Sequence, residues 1–291
     1  MSTKLAFIGL GIMGLPMAGH LLAAGHQLTL HSRTQSKAQP LLAIGAVWAD
    51  SPRAAAQSAD VVFLCVTDTP DVQAVLLGPG GVIEAARPGL IVVDHSTISP
   101  SATRYMANQL AHKQTILLDS PVSGGDVGAR NATLSIMVGG DEAAFKTVEP
   151  LLRHMGKTIT HCGPSGAGQL TKLVNQILVS VTNLAVSEAL VFAKNNGLDA
   201  EKTVAALSGG AAGSWQLANL GPRMLKGDFA PGFTIDLQQK DLRLVLEAAA
   251  SAKTPLPALA LVHQLFTSAQ AAGRGKDGTQ ALFAVIEKLS K

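Results

Sequence analysis

Along the first 160 residues, short apolar runs alternate with longer segments of mixed polarity. The runs at 4–8, 27–31, 46–49, 61–66, 90–95, 115–119, 133–138 and 158–161 are rich in Val, Ile and Leu, and in most of them polar residues do not alternate. Unbroken apolar runs of this length predict strands buried on both faces of a sheet. The intervening segments, 13–24, 53–58, 69–77, 99–112 and 141–155, read as helices, with Pro100, Pro150 and Pro164 as punctuation. Strand and helix in alternation predict an α/β fold with a doubly wound, mostly parallel sheet.

The pattern changes after Gly163-Pro164-Ser165-Gly166. From 169 to 195 there is one helical segment without Gly or Pro, apolar nearly all round, which predicts a helix buried on most sides. Asn196-Gly197 closes it. Beyond it only helices are expected, over 200–207, 215–226, 235–252, 257–272 and 279–289. The expected organisation is therefore an α/β domain over 1–163, a linking helix over 164–195 and an all-helical domain over 196–291.

Composition narrows the function. Apolar residues make up 47% of the 291 and charged residues 15%, so the chain is not of the disordered class. Aromatics are 4%, too few for a base-stacking platform. The net charge of +3 is spread without a basic run, so neither nucleic acid nor a membrane surface is an expected partner. The apolar stretch 173–193 carries Asn175, Gln176, Asn183 and Glu188, and reads as too polar for a membrane span. Glycines interrupt the N-terminal apolar run at once, which argues against a signal peptide and for the cytoplasm. Cys65 and Cys162, in apolar strand-like surroundings, are expected to be buried, reduced thiols. No His/Cys/Asp/Glu cluster has metal-ligand spacing, so no metal is expected.

The first chemistry-bearing motif is Gly9-Leu10-Gly11-Ile12-Met13-Gly14, directly after the strand at 4–8 and opening a helix. Gly9 permits a tight turn, Gly11 close approach of a pyrophosphate, and Gly14 close packing of helix on strand. The helix N-terminus then faces the phosphates, with Ile12 and Met13 in the loop. In this context the motif predicts a Rossmann-type dinucleotide site; the alternative is a merely structural turn. The second strand ends in His31-Ser32-Arg33-Thr34, where a carboxylate would select NAD. Instead Arg33 can pair with a 2′-phosphate, with Ser32 and Thr34 as hydrogen-bond donors and Lys37 one turn on. The expected cofactor is NADP(H) in preference to NAD(H). Other strand ends, Val66-Thr67 and Ser96-Thr97, lie where open α/β sheets bind ligands and would line the nicotinamide and ribose.

The chain resembles the β-hydroxyacid dehydrogenase family over essentially its whole length. Four motifs carry the likeness: the glycine loop continued through Leu15-Pro16-Met17-Ala18; Asp119-Ser120-Pro121-Val122-Ser123-Gly124-Gly125; Gly166-Ala167-Gly168-Gln169-Leu170-Thr171-Lys172-Leu173-Val174-Asn175; and Lys240-Asp241-Leu242. His20 stands where the family usually has Asn, and Ser120 where it usually has Ala.

From the residues alone, Lys172 sits in the first turns of an apolar helix and points either into a cleft or into an unfavourable core. A partly desolvated lysine exchanges a proton nearer neutral pH, but a surface lysine at a helix start is the plain alternative. The resemblance implies that Lys172 is the general acid/base and that Asn175, three residues on, orients it or the substrate. It also implies that Ser123, Gly124 and Gly125 take the substrate's carboxylate, that Lys240 is a second cation in the active site, and that Asp241 anchors Lys240 beside the cofactor. His95 reads as structural. The implied activity is NADPH-dependent reduction of a small carboxylate-bearing aldehyde, foremost tartronate semialdehyde to D-glycerate. Glyoxylate or succinic semialdehyde reduction and 3-hydroxyisobutyrate- or serine-type oxidation are alternatives within the class, and a non-catalytic dinucleotide-binding module is one outside it. The apolar excess and the family's habit together lead to an expected homodimer or homotetramer.

Overall fold

The structure, a computed structural model, describes residues 2–290. Nine strands form one sheet among these residues: β1 Lys4–Ile8, β2 Gln27–His31, β3 Val47–Trp48, β4 Val61–Leu64, β5 Ile91–Asp94, β6 Ile116–Asp119, β7 Val122–Ser123, β8 Leu134–Gly139 and β9 Gly156–Gly163. The order β3-β2-β1-β4-β5-β6 is parallel throughout. β6 and then β7 pair antiparallel with β8, and β9 adds to β8 in parallel. The helices of this part are α1 Gly14–Ala23, α2 Gln39–Leu42, α3 Pro52–Gln57, α4 Thr69–Leu77, α5 Pro100–Ala111, α6 Gly125–Arg130 and α7 Glu142–Leu152.

The unbroken apolar runs have the expected cause. Leu5 and Phe7 of β1 belong to one apolar cluster with Phe63, Val93 and Leu118, while Ala6 and Ile8 belong to a second with Val62, Leu64 and Val92. Each central strand therefore buries both faces under helices, and alternate residues serve different cores.

The later elements are all helical: α8 Ala167–Asn195, α9 Ala200–Ser208, α10 Gly221–Leu225, α11 Ile235–Ser251, α12 Pro257–Ala271 and α13 Leu282–Leu289. Contacts divide the chain into two compact units, through Lys172 and from Leu173 onward. The division thus falls inside α8, whereas the sequence reading sets its boundaries at 163 and 195. The reason is local. The first turn of α8 is bound to the ends of β5 and β6, as described below, while Leu173 and Leu184 join a helical core with Ile235, Leu242, Val262 and Phe266.

Several expectations need correction. α8, expected to be buried on most sides, leaves Leu170, Val174, Leu178 and Phe192 exposed. By length and hydropathy alone α8 could cross a membrane. Its polar residues, however, are core groups: Gln176, Ser180 and Asn183 are buried and hydrogen-bonded, Asn183 donating to the Thr279 carbonyl at 2.7 Å. Pro150 does not end its helix but lies inside α7. The segment 215–226 is not one α-helix. It begins as a π-turn at Gln216–Leu220 and becomes α10 only at Gly221, because Pro222 has no N–H to continue the ladder. Cys65 and Cys162 are not disulfide-linked, but each is partly exposed rather than buried. Cys65 follows β4 at its open end, and Cys162 lies near the end of β9, which pairs only with β8.

Candidate active site

The glycine loop leaves β1 at Ile8, and its geometry matches the roles read from sequence. Gly9 has φ +96, and a Cβ there would lie 2.3 Å from the Cys65 carbonyl. A Cβ on Gly14 would lie 2.0 Å from the Gly9 carbonyl, so the residue is required for α1 to pack against the turn. Around Gly11 there is open space, and Ile12 projects into solvent beside it. No side chain caps the N-terminus of α1, where Met13 stands. Its uncapped N–H groups and positive dipole end fit a pyrophosphate. The loop sits at the reversal of strand order between β1 and β4, the place where such sheets bind ligands.

At the end of β2, Ser32 Oγ accepts from the Leu10 N–H at 3.5 Å and so ties this turn to the glycine loop. The Arg33 side chain is 82% exposed and meets Asp71, in the first turn of α4, at 3.3 Å. Thr34 is also exposed. A phosphate at Arg33 would have to compete with the Asp71 carboxylate.

Val66, just past β4, donates its N–H to Ser96 Oγ at 2.9 Å. Thr67 is exposed and Thr97 partly so. Ser123 ends β7; Gly124 (φ +133) and Gly125 (φ +61) turn the chain into α6. The two residues that depart from the pattern the chain resembles, His20 and Ser120, are each hydrogen-bonded. The His20 ring bonds the Ala129 carbonyl at 2.9 Å, and Ser120 is buried, with its carbonyl 2.7 Å from His95 Nδ1.

The placement of Lys172 depends on residues to which the sequence reading gave no role. Asp119, at the end of β6, is fully buried; its two carboxylate oxygens accept the N–H groups of Gly166 and Gln169, each at 2.8 Å. Burial pushes its carboxyl above the usual range, while these amide bonds pull it back. Gly139 and Gly168 make the approach possible: a Cβ on Gly139 would lie 2.7 Å from Asp119 Oδ1, and one on Gly168 2.4 Å from the Met137 carbonyl. Gln169 is also fully buried. Its Nε2 donates to the Ser96 carbonyl at 2.8 Å, and its Oε1 accepts from the Ile98 N–H at 3.1 Å. Lys172, one turn on, is 8% exposed. The first unit therefore brings the glycine loop, Ser32, Arg33, Val66, Thr67, Thr97, Ser123–Gly125 and Lys172 to the carboxyl edge of one sheet.

The second unit holds the remaining predicted residues. Asn175 Nδ2 donates to Gln176 Oε1 at 2.8 Å, and Gln176 Nε2 donates to Asp241 Oδ2 at 2.5 Å. Lys240 Nζ meets the other Asp241 oxygen at 2.7 Å. Asp241 is 1% exposed, with its carboxylate shared by Gln176 and Lys240, so here it anchors Lys240. The network fixes both Asn175 and Lys240. Gln176 was visible in the sequence as a polar break in an apolar helix, but its partner was not.

Comparison with known proteins agrees with this geometry. Residues 4–163 match the family model described as the NAD-binding domain of 6-phosphogluconate dehydrogenase. Residues 166–286 match that described as the NAD-binding domain of NADP-dependent 3-hydroxyisobutyrate dehydrogenase. The chain is 46% identical over 288 residues to 2-hydroxy-3-oxopropionate reductase of Escherichia coli, covering 99% of this chain and 98% of the relative. Among solved structures, it is similar to Mycobacterium tuberculosis 3-hydroxyisobutyrate dehydrogenase with L-serine, at TM-score 0.89 and 33% identity over the whole of both chains. It is also similar to Psf3 in complex with NADP+ and 2-OPP, at TM-score 0.88 and 28% identity, covering 97% of this chain and 99% of the other.

His95, at the end of β5, is a structural residue with a measurable signature. It is buried, stacked on Phe63 at 5.7 Å, and burial lowers its pKa to about 4 against the raising effect of the Ser120 carbonyl. Unfolded, the imidazole takes a proton near pH 6.5. Its support for folding is therefore complete above that pH and is lost as pH falls toward 4. At about 1.4 kcal/mol per decade, the loss comes to about 3 kcal/mol. Urea unfolding at pH 7 and 4.5 should show this loss in the wild type and a flatter dependence in His95→Phe. An equally steep dependence in the variant would assign the effect to other groups.

Proposed function

Since the chain belongs to the β-hydroxyacid dehydrogenase family of NAD(P)-dependent oxidoreductases acting on CH–OH groups, we propose that it reduces a small carboxylate-bearing aldehyde to its hydroxy acid, with Lys172 as the general acid. The observation that carries this reading is the burial of Lys172 in the first turns of α8, held at the ligand-binding edge of the sheet. We take tartronate semialdehyde, reduced to D-glycerate, as the substrate, because the relative at 46% identity is named for reduction of this aldehyde acid.

When bound, a reduced nicotinamide dinucleotide supplies the hydride to the carbonyl carbon. The protein's own part is to deliver a proton and hold the acid. Lys172, 8% exposed at this edge, gives its proton to the carbonyl oxygen. In the reverse direction the neutral amine takes the alcohol proton. Asn175, three residues on along α8, shares its face and orients the amine or the substrate. Ser123, Gly124 and Gly125 offer a hydroxyl and turn amides to the carboxylate.

Lys172→Ala is expected to lower kcat at least a thousandfold while NADPH still quenches or enhances fluorescence on binding as in the wild type. Turnover near the wild-type rate would refute the assignment. The substrate itself is tested by following NADPH loss with tartronate semialdehyde, succinic semialdehyde, glyoxylate and methylmalonate semialdehyde. A highest kcat/KM for any but the first would reassign the specificity.

The absence of a carboxylate at the end of β2, together with the exposed Arg33, supports NADPH over NADH. Arg33→Ala should raise KM for NADPH roughly ten- to a hundredfold, the worth of one or two charge-assisted hydrogen bonds, and leave KM for NADH nearly unchanged. A wild-type preference for NADH overturns this reading.

A second copy of the chain is proposed to cover the stripe Leu170, Val174 and Leu178, which recurs every fourth residue along α8 and is 46%, 56% and 64% exposed. Light scattering should then give the mass of a dimer or tetramer, and Val174→Glu with Leu178→Glu should give a folded monomer. A wild-type monomer at micromolar concentration would rule the assembly out.

A further inference from the structure

We propose that Gln169 is a positioning residue for the reaction: it registers Lys172 against the loops that follow β4 and β5. The inference rests on the reading of Lys172 as proton donor and extends it to a residue that never meets the substrate.

Three observations combine. First, the carboxamide of Gln169 is completely buried and uses both of its ends on one stretch of backbone. Nε2 donates to the Ser96 carbonyl and Oε1 accepts the Ile98 N–H, so the group brackets Thr97 as a neighbouring strand would. β5 ends at Asp94, and among the described residues no strand pairs with this stretch. Second, Ser96 is itself tied outward: its Oγ accepts the Val66 N–H at 2.9 Å and its own N–H donates to Asp94 Oδ1 at 2.8 Å. A continuous hydrogen-bonded line therefore runs from the loop after β4, through Ser96, to the first turn of α8. Third, Lys172 is one helical turn beyond Gln169, and the backbone between them is held at its start by Asp119. A rotation of that turn would move the Lys172 amine and would break two buried hydrogen bonds of Gln169.

A carboxamide that only satisfied two buried peptide groups would contribute to stability and leave turnover per folded molecule unchanged. A positioning group does more, because an error of about 1 Å at a reacting atom costs on the order of a hundredfold in rate. The full-length wild type, Gln169→Ala, Gln169→Glu and Lys172→Ala are compared with NADPH and the fastest semialdehyde of the panel. Each rate is normalised to folded protein by circular dichroism and to NADPH binding by fluorescence. Gln169→Ala is expected to lower kcat about thirty- to a hundredfold with the Kd for NADPH within threefold. The primary isotope effect with NADPH deuterated at the transferred position should rise toward its full value as the chemical step becomes limiting.

Gln169→Glu keeps the shape but sets an oxygen against the Ser96 carbonyl. Once protonated, the introduced carboxyl can donate again, so its kcat relative to the wild type should climb as pH is lowered. This variant decides the matter if Gln169→Ala fails to fold. A folded Gln169→Ala with kcat within threefold of the wild type, or a pH-independent ratio for Gln169→Glu, overturns the positioning role. If Lys172→Ala is inactive in that same experiment, only the Gln169 inference falls. If Lys172→Ala retains turnover, both fall together.

Discussion

The carboxyl edge of the first unit depends on one buried charge. Taking a carboxylate out of water costs several kcal/mol, and Asp119 is fully buried. What balances the cost is the start of α8: two amide N–H groups at 2.8 Å and the positive end of a 29-residue helix. The exchange works only where backbone can come close, and glycines at 139 and 168 supply the room. Remove this contact, and the apolar helix loses its fixed point on the sheet. The lysine one turn along would then have no defined place relative to the ends of β4 and β5.

The same economy explains why the polar residues of α8 do not weaken it. Gln169 completes the backbone beyond β5, Gln176 reaches Asp241, Asn183 reaches Thr279, and Gln238 on α11 reaches Ser180 at 2.9 Å. Each is an amide or hydroxyl held to a partner on another element. An apolar replacement would leave those partners buried without a hydrogen bond, at a cost of about 1–3 kcal/mol each. These polar groups let a helix apolar enough for a bilayer serve as a core helix instead.

Local signals made much of this legible. β1 and β2 have the predicted bounds: Leu5–Ile8 of β1 are apolar at every position because both faces are buried, while β2 buries only Leu28 and Leu30. The glycine loop was legible because its turn, its clearance and its helix start each demand a residue with no side chain. β7 and α6 were not. Two residues after Pro121 are too short for periodicity, and the Gly124-Gly125 pair that opens α6 reads as loop. The roles of Asp119 and Gln169 were equally hidden. Their partners lie 47 to 73 positions away in sequence, and no spacing rule connects a strand-end Asp to the amides of a distant helix. Sequence marked both as members of motifs without saying what they hold.

Arg33 contrasts with all of this. Its side chain is 82% exposed, and its ion pair with Asp71 is long and on the surface. Exchanging it touches the folding free energy by no more than about 0.5 kcal/mol, the usual range for such positions. Lys172, the proposed proton donor, is fastened into the core, whereas Arg33, the proposed discriminator between nucleotides, hangs outside it. If Arg33 sets coenzyme preference as proposed, that preference is free to drift under selection, one surface substitution at a time, without disturbing the core beneath.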